Sequence, residues 1–205
     1  MGKLLDKIGA DLNAVGYKRR SAEARAWLRS EAQKLGQINR ADIIRDSYRA
    51  SSVYVGNMFF MIYDPKTKDQ LPYWDKFPLV LPIEMYGDGF LGLNFHYLPL
   101  NLRVKLLDSL YDLTNNNRFD ETTRFKASYS LLSGAARFKA FEPCIKRYLS
   151  SHIQSRMIAI EPDKWDIAIF LQTQNFQKAS AQKVWTDSRN IIDGAVTPSI
   201  RHAGE

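Results

Sequence analysis

The sequence predicts an α+β fold, in which a small bent antiparallel sheet or open barrel is flanked by N-terminal and C-terminal helices. Three observations support this prediction: helical spacing of apolar residues in the first fifty positions, short β-rich runs broken by prolines and glycines over about residues 52–100, and helical spacing again from Asn101. Apolar residues make up 45% of the 205 positions and charged residues 25%, which is typical of globular proteins. We therefore expect one substantial core.

Two N-terminal helices are predicted from apolar spacing and capping residues. In the first, apolar residues recur every three or four positions between Leu4 and Val15, and Gly16 follows the last of them. The second has an N-cap candidate in Ser21 and a C-cap candidate in Gly36. Good helix formers fill the interval between these two caps, so both ends of this helix are predicted.

Composition and pattern divide the chain into three regions. Residues 1–50 form a basic helical segment, and residues 51–192 form a single α+β core domain. Residues 193–205 are a polar tail that carries no helical or strand pattern. We expect the tail to contribute little to the core.

Strands are predicted where β-branched and aromatic residues are dense. The first is expected between Tyr54 and Tyr63, the second in "FPLVLPIEMY" and the third in "GDGFLGLNFHYL", after a turn at Asp88. Prolines and glycines in this region restrict strand length and fix the bends. Eight aromatic side chains are expected to fill the core between the strands: Phe59, Phe60, Tyr73, Trp74, Phe77, Phe90, Phe95 and Tyr97. The alternatives are that some of them stack on unpaired bases or form a subunit interface.

The second half of the chain is predicted to be mainly helical. Apolar spacing and capping residues indicate helices at residues 101–113, 120–134 and 142–155. An alternating pattern on either side of an "EPDK" turn predicts a second hairpin near residues 156–171, and a closing helix is expected within residues 175–192.

Excess positive charge is the strongest functional signal in the sequence. The formal net charge is +7, and the first fifty residues contain eleven Lys and Arg against six Asp and Glu. A basic surface attracts phosphates through counterion release, although an acidic protein surface would satisfy the same charges. The candidate binding residues are Lys18, Arg19, Arg20, Arg25, Arg29, Lys146 and Arg147.

No catalytic or metal-binding motif is recognisable. His96, His152 and His202 lie far apart, so no zinc spacing is present, and a single cysteine, Cys144, excludes an internal disulfide. Asp88 stands between two glycines and is expected in a turn. We interpret Cys144 as a buried small apolar residue and His96 as a core or interface residue, and we expect no enzyme activity, cofactor or metal. A pocket in which His96 meets a carboxylate or Cys144 would favour the opposite interpretation.

Several stretches resemble a family from tailed bacteriophages of the T-even type, described as DNA end protectors or small virion structural proteins. They are "YDPK", "LPYWDKFPLVLPIE", "GDGFLGLNFHYLPL", "RFKAFEPCIKRYL" and "KVWTDSR", and they span roughly residues 58–190. The first role implies binding to the end of packaged double-stranded DNA and protection from host exonuclease. The second implies a place in the neck, tail or baseplate with only protein–protein contacts.

The resemblance also implies where the protein acts and with what. Its expected partners are other virion proteins of the portal, neck, tail or baseplate, and double-stranded DNA ends. Because the chain shows no export leader and no apolar run of membrane-spanning length, we expect synthesis in the host cytoplasm, assembly into the virion and no membrane partner.

Overall fold

The structure is a computed structural model that describes most of the chain. The described residues are 3–18, 20–36, 40–41, 43, 53–114 and 141–194. Within these ranges the chain forms five α-helices, a five-stranded antiparallel sheet and a two-stranded sheet, so the predicted α+β class is confirmed. The larger sheet is open rather than closed into a barrel. No helix in the described ranges is long and apolar enough to cross a bilayer.

Helices and strands follow each other along the chain in mixed order. The α-helices are α1 (Lys3–Val15), α2 (Ala22–Leu35), α3 (Leu100–Thr114), α4 (Trp165–Phe170) and α5 (Ala181–Ile192). The strands are β1 (Met58–Phe60), β2 (Trp74–Asp75), β3 (Leu79–Tyr86), β4 (Gly89–Asn94), β5 (Ile145–Leu149), β6 (Ile158–Ile160) and β7 (Phe176–Gln177). Short 3-10 turns lie at Phe95–Tyr97, Ser150–His152 and Pro162–Lys164.

Local sequence signals determine both ends of α2. The Ser21 hydroxyl accepts a hydrogen bond from the backbone N–H of Ala24 at 3.1 Å, which pairs a helix-end donor that would otherwise lack a partner. At the other end, Gly36 has φ of 58°, a left-handed conformation that glycine adopts without steric cost. Both predicted caps are confirmed.

The five-stranded sheet has the order β5-β4-β3-β1-β6, and every neighbouring pair is antiparallel. Its longest pairing is the predicted β3–β4 hairpin, in which Val80 lies opposite Asn94 and Tyr86 opposite Gly89. The register shifts after Pro82, which has no backbone N–H to donate to the ladder. The smaller sheet pairs β2 with β7.

Both faces of the larger sheet are buried, and side-chain alternation assigns its apolar residues to two clusters. Phe60 and Leu81 belong to the cluster that also contains the apolar residues of the helices, whereas Phe59, Val80 and Phe90 belong to a second cluster on the other face. Seven of the eight aromatics predicted as core are buried, and Trp74 is partly exposed. The core interpretation of these seven is confirmed, so their rings are not available to stack on bases.

The N-terminal helices pack on α4, and their apolar residues join the helix-side cluster. α3 also packs on α4, while α5 packs on the 3-10 turn that follows β4. The division into residues 1–50, 51–192 and 193–205 stays a prediction. Most of the predicted tail and the whole of the helix predicted at residues 120–134 lie outside the described residues.

The helix predicted at residues 142–155 is not formed, because its central part is strand β5. This strand pairs with β4 over five residue pairs, from Gly89 opposite Leu149 to Leu93 opposite Ile145. Apolar residues spaced three and four apart are typical of helices, but tertiary pairing outweighs this local preference. The backbone hydrogen bonds of this segment therefore go to a neighbouring strand.

In place of the second hairpin predicted near residues 156–171, the chain forms β6 and then α4. β6 pairs with β1 instead of with a returning strand. All the residues of α4 except Asp166 are buried, and a short apolar run buried on nearly all sides has the same pattern whether it is helix or strand. Pro162 begins the 3-10 turn that leads into this helix.

Candidate nucleic-acid interface

The junction between α1 and α2 carries the first group of predicted binding residues. Lys18 is exposed, and Arg19 lies outside the described residues. Arg20 has φ of 64°, and its guanidinium carbon lies 3.3 Å from the centre of the Tyr111 ring on α3. Its Nε is also 3.9 Å from a carboxylate oxygen of Asp166 on α4. Arg20 therefore joins the junction to two helices, while Lys18 remains accessible to an anion.

A shallow open concavity lies beside this junction. Its lining residues are Lys18, Arg20, Ser21, Pro162, Asp163 and Asp166. Two basic and two acidic side chains thus share one small surface. The resulting mixed charge does not favour a phosphate over other ligands, so the concavity itself is not the preferred DNA contact.

The two arginines on α2 have different environments. Arg25 Nη2 pairs with Asp108 Oδ1, and this ion pair connects α2 with α3. Arg29 lies one helical turn further along, is exposed, and makes no ion pair within the described residues. Arg25 therefore stabilises a helix–helix contact, whereas Arg29 is accessible to a polyanion.

Lys146 and Arg147 lie on β5, where successive side chains point to opposite sides of the sheet. The Lys146 ammonium is 4.3 Å from the centre of the Tyr97 ring, and desolvation lowers the pKa of Lys146 to about 8. Arg147 donates a hydrogen bond to the Tyr148 carbonyl at 2.7 Å and pairs with Asp88. The structure therefore does not bring these two predicted residues together into one cationic patch.

Arg147 also contacts the tip of the β3–β4 hairpin. Its guanidinium carbon lies 4.5 Å from the centre of the exposed Tyr86 ring, beside the turn that contains Asp88. At Gly89, a Cβ atom would lie 1.9 Å from the Tyr148 carbonyl oxygen, so the close approach of β5 requires glycine there. Asp88 is confirmed as a turn residue.

A buried polar cluster, which sequence reasoning missed, joins Asp75, His96 and Thr173. His96 Nδ1 is 2.6 Å from Asp75 Oδ2, and His96 Nε2 is 3.0 Å from Thr173 Oγ1. The exposed fractions are 3% for Asp75 and 0% for the other two. No sequence motif could have found this cluster, since 21 positions separate Asp75 from His96 and 77 separate His96 from Thr173.

Backbone donors complete the hydrogen bonding of the Asp75 carboxylate. Asp75 Oδ1 accepts from the N–H groups of Phe77 at 3.0 Å and Asn175 at 2.9 Å. Burial acts to raise the pKa of Asp75, but His96 and these hydrogen bonds outweigh it and hold the pKa below its ordinary value. Burial lowers the pKa of His96, although the Asp75 carboxylate opposes this effect. A neutral His96 with its proton on Nδ1 satisfies both neighbours.

The order hydroxyl, imidazole, carboxylate is the order found in hydrolytic triads. His96 does meet a carboxylate, an arrangement that would favour an enzymatic interpretation. However, the Thr173 hydroxyl is completely buried, so a substrate cannot reach it in this conformation. We interpret the cluster as structural, because it ties β2, the turn after β4 and the segment before β7 together.

The other candidate catalytic residues also have structural contacts. The Cys144 thiol donates to the Phe141 carbonyl at 2.9 Å, and burial raises the pKa of Cys144 to about 12. The ring of His152 lies 2.9 Å from the Asp64 carbonyl oxygen. Among the described residues, no three His, Cys, Asp or Glu side chains converge as metal ligands would. Cys144 is confirmed as a buried residue.

Comparison with known proteins identifies a matching family. The model of a family described as phage T4 terminal DNA protecting protein matches residues 17–188. Comparisons with curated proteins and with solved structures find no match. The matched range begins at the α1–α2 junction, includes both sheets and extends into α5. Because the match covers far more than half of the chain, the chain belongs to the phage T4 terminal DNA protecting protein family.

Proposed function

We propose that this protein binds the ends of linear double-stranded DNA in a phage particle and shields them from exonucleases. The single observation that supports this most strongly is the family match over residues 17–188. That range contains all seven candidate binding residues named from the sequence.

The charged surface supports a contact with phosphates rather than with base edges. Lys18 and Arg29 are exposed, and neither makes an ion pair within the described residues. Side chains of this kind neutralise phosphates and carry no sequence information. Binding is then expected to weaken steeply with salt and to depend little on base sequence.

Shielding requires only that the protein occupy the terminus. An exonuclease must thread or grip a DNA end, so a folded domain bound there blocks it by excluded volume. The proposed function therefore includes no turnover by the protein. Burial of the Thr173 hydroxyl supports this part of the proposal.

The proposed location is the head–neck–tail assembly of the virion, after synthesis in the host cytoplasm. Packaged DNA ends lie in the interior of a particle, so a protein that binds them is expected to meet portal, neck or tail proteins as well. We propose these virion proteins as further partners, and no membrane.

A second candidate function is an assembly role in the neck, tail or baseplate with protein contacts alone. Met85 and Tyr86 at the tip of the β3–β4 hairpin are 42% and 43% exposed, and exposed apolar side chains are frequent at protein interfaces. An assembly component is expected at a fixed copy number in purified particles. Absence from particles would exclude this candidate.

The test of the proposed function is end-dependent binding. One labelled duplex is prepared with two blunt ends, and a duplex of the same sequence is prepared with both ends closed by hairpin loops. At low salt, the protein is expected to bind the open duplex more tightly than the closed one. Equal affinity for the two, or no binding to either, would contradict the proposal.

A further inference from the structure

We propose that Arg29 on α2 and Lys105 on α3 form a two-cation site for the phosphate backbone of the DNA end. This inference rests on the proposed function and adds a residue, Lys105, that the sequence did not single out.

Two contacts determine how α2 and α3 pass each other. Arg20, just before α2, lies over Tyr111, whereas Arg25 on α2 pairs with Asp108. As the residue number rises from Arg20 to Arg25, the number of the contacted residue on α3 falls from Tyr111 to Asp108. The two helices are therefore antiparallel where they face each other.

Helix geometry then places Arg29 and Lys105 on the same side of the Arg25–Asp108 ion pair. Arg29 lies four residues after Arg25, and Lys105 lies three residues before Asp108, so each is about one turn from the ion pair. Because the helices are antiparallel, both turns lie on the same side of that pair. Arg29 and Lys105 are both exposed there.

The Arg25–Asp108 pair explains why these two charges remain uncompensated. Asp108 is engaged by Arg25, and within the described residues neither Arg29 nor Lys105 makes an ion pair. The Asp108 carboxylate is therefore not available to compensate Arg29 or Lys105.

Two other exposed lysines, Lys34 and Lys183, differ in this respect. Lys34 pairs with Glu31 at 2.5 Å, and Lys183 pairs with Asp187 at 2.6 Å. A carboxylate already compensates each of these ammonium groups, so a phosphate would have to compete for it. Two uncompensated cations on adjacent helices match the repeated negative charges of a nucleic-acid backbone, and Arg29 can form two parallel hydrogen bonds with one phosphate.

The experiment measures how duplex binding depends on salt in the double variant Arg29→Ala with Lys105→Ala. Each lost phosphate contact reduces the slope of log K against log salt by about 0.9, so the expected reduction is about 1.8. Between 50 and 200 mM salt, the double variant should consequently lose about 12-fold less affinity than the unchanged protein.

The matched control is Lys34→Ala with Lys183→Ala, which removes the same formal charge from paired positions. The slope of log K against log salt is expected to change less than half as much in this control as in the test variant. A second version of the test variant, Arg29→Gln with Lys105→Gln, keeps long side chains and guards against misfolding. Thermal unfolding of all variants checks that the fold is retained.

Three outcomes are informative in different ways. If the unchanged protein binds no duplex, the proposed function fails, and the inference fails with it. If it binds duplex but the test and control variants have equal slopes, only the inference is overturned. If the test variant binds DNA normally but is not incorporated into particles, the two cations contact an acidic protein surface, and the inference is again wrong.

Discussion

Two regions of this protein contain residues that suggest chemistry, and they differ in solvent access. The buried cluster of Asp75, His96 and Thr173 has the order of a hydrolytic triad, but its exposed fractions are 3% or less. The outer side of α2 and α3 has no such motif, yet Arg29 and Lys105 are exposed there without a carboxylate partner among the described residues. Accessibility, rather than residue type, separates a structural group from one that can bind a ligand.

The two regions also differ in how much their interactions contribute to the stability of the fold. Removing the acceptor of a buried hydrogen-bond cluster leaves its donors unsatisfied and costs about 1–3 kcal/mol of stability for each donor. A charge on the surface contributes about 0–1 kcal/mol. Mutations in the buried cluster are therefore expected to act on folding, and mutations on the outer side of α2 and α3 on binding.

The largest expected effect is that of Asp75→Ala. The substitution removes the acceptor for His96, Phe77 and Asn175 and leaves three donors unsatisfied, so the free energy of unfolding should fall by at least about 3 kcal/mol. Urea denaturation measures this change. The control Asp69→Ala removes an exposed carboxylate and should change stability by about 0.5 kcal/mol or less. Comparable effects of the two substitutions would contradict the structural role of the cluster.

A smaller effect is expected at the β3–β4 hairpin, where Gly89→Ala can be compared with Gly87→Ala. The added Cβ at Gly89 would lie 1.9 Å from the Tyr148 carbonyl oxygen, and β5 would have to move, at a cost of about 1–3 kcal/mol. At Gly87 nothing lies within 4 Å of the added atom. If the two variants have the same urea midpoint, then β5 does not pack against β4 as described.

Acidification should reduce the stability of the folded protein through His96. Its pKa in the folded state lies below the ordinary value of 6.5, so the unfolded chain takes up a proton first as the pH falls. The free energy of unfolding should accordingly decline from about pH 6.5 downward. Asp75, whose folded pKa lies below 3.8, adds its own loss only at more acidic pH.

Denaturation curves at several pH values measure this dependence. His96→Gln is expected to be less stable overall but to lose the part of the decline that begins near pH 6.5. If the substitution leaves that part of the pH profile unchanged, titration of His96 is not its cause.

The smallest expected effect on stability is that of Asp108→Asn on the outer side of α2 and α3. The partly exposed ion pair with Arg25 contributes only about 0–1 kcal/mol. Because the substitution removes a negative charge beside Arg29 and Lys105 and releases Arg25, duplex affinity at low salt should rise. A fall in affinity without a loss of stability would show that this surface does not face DNA.

Features that depend on contacts between residues close in sequence could be predicted, whereas features that depend on distant partners could not. The caps of α2 at Ser21 and Gly36 involve contacts within a few residues, and sequence analysis found both. The β3–β4 hairpin followed equally from local pattern and turn residues. Apart from Asp166, α4 is apolar throughout and has no distinguishing period, and β5 depends on a partner strand some fifty residues earlier, so neither was predicted.

The candidate site shows the same limit. Sequence reasoning found the basic character of α2 but could not tell that Asp108 engages Arg25 while Arg29 stays exposed. Lys105 was not singled out, because its relation to Arg29 depends on how α2 and α3 pass each other. Lys146 and Arg147 were grouped as neighbours in sequence, although strand alternation places them on opposite sides of the sheet.

The most direct test of the central claim is an exonuclease assay on a linear duplex labelled at one end. The purified protein is added at low salt before a processive exonuclease, and degradation is followed over time. We expect the protein to delay degradation from the ends, and to leave cleavage of a circular duplex by an endonuclease unaffected. Degradation of the linear duplex at the same rate with and without the protein would contradict the account.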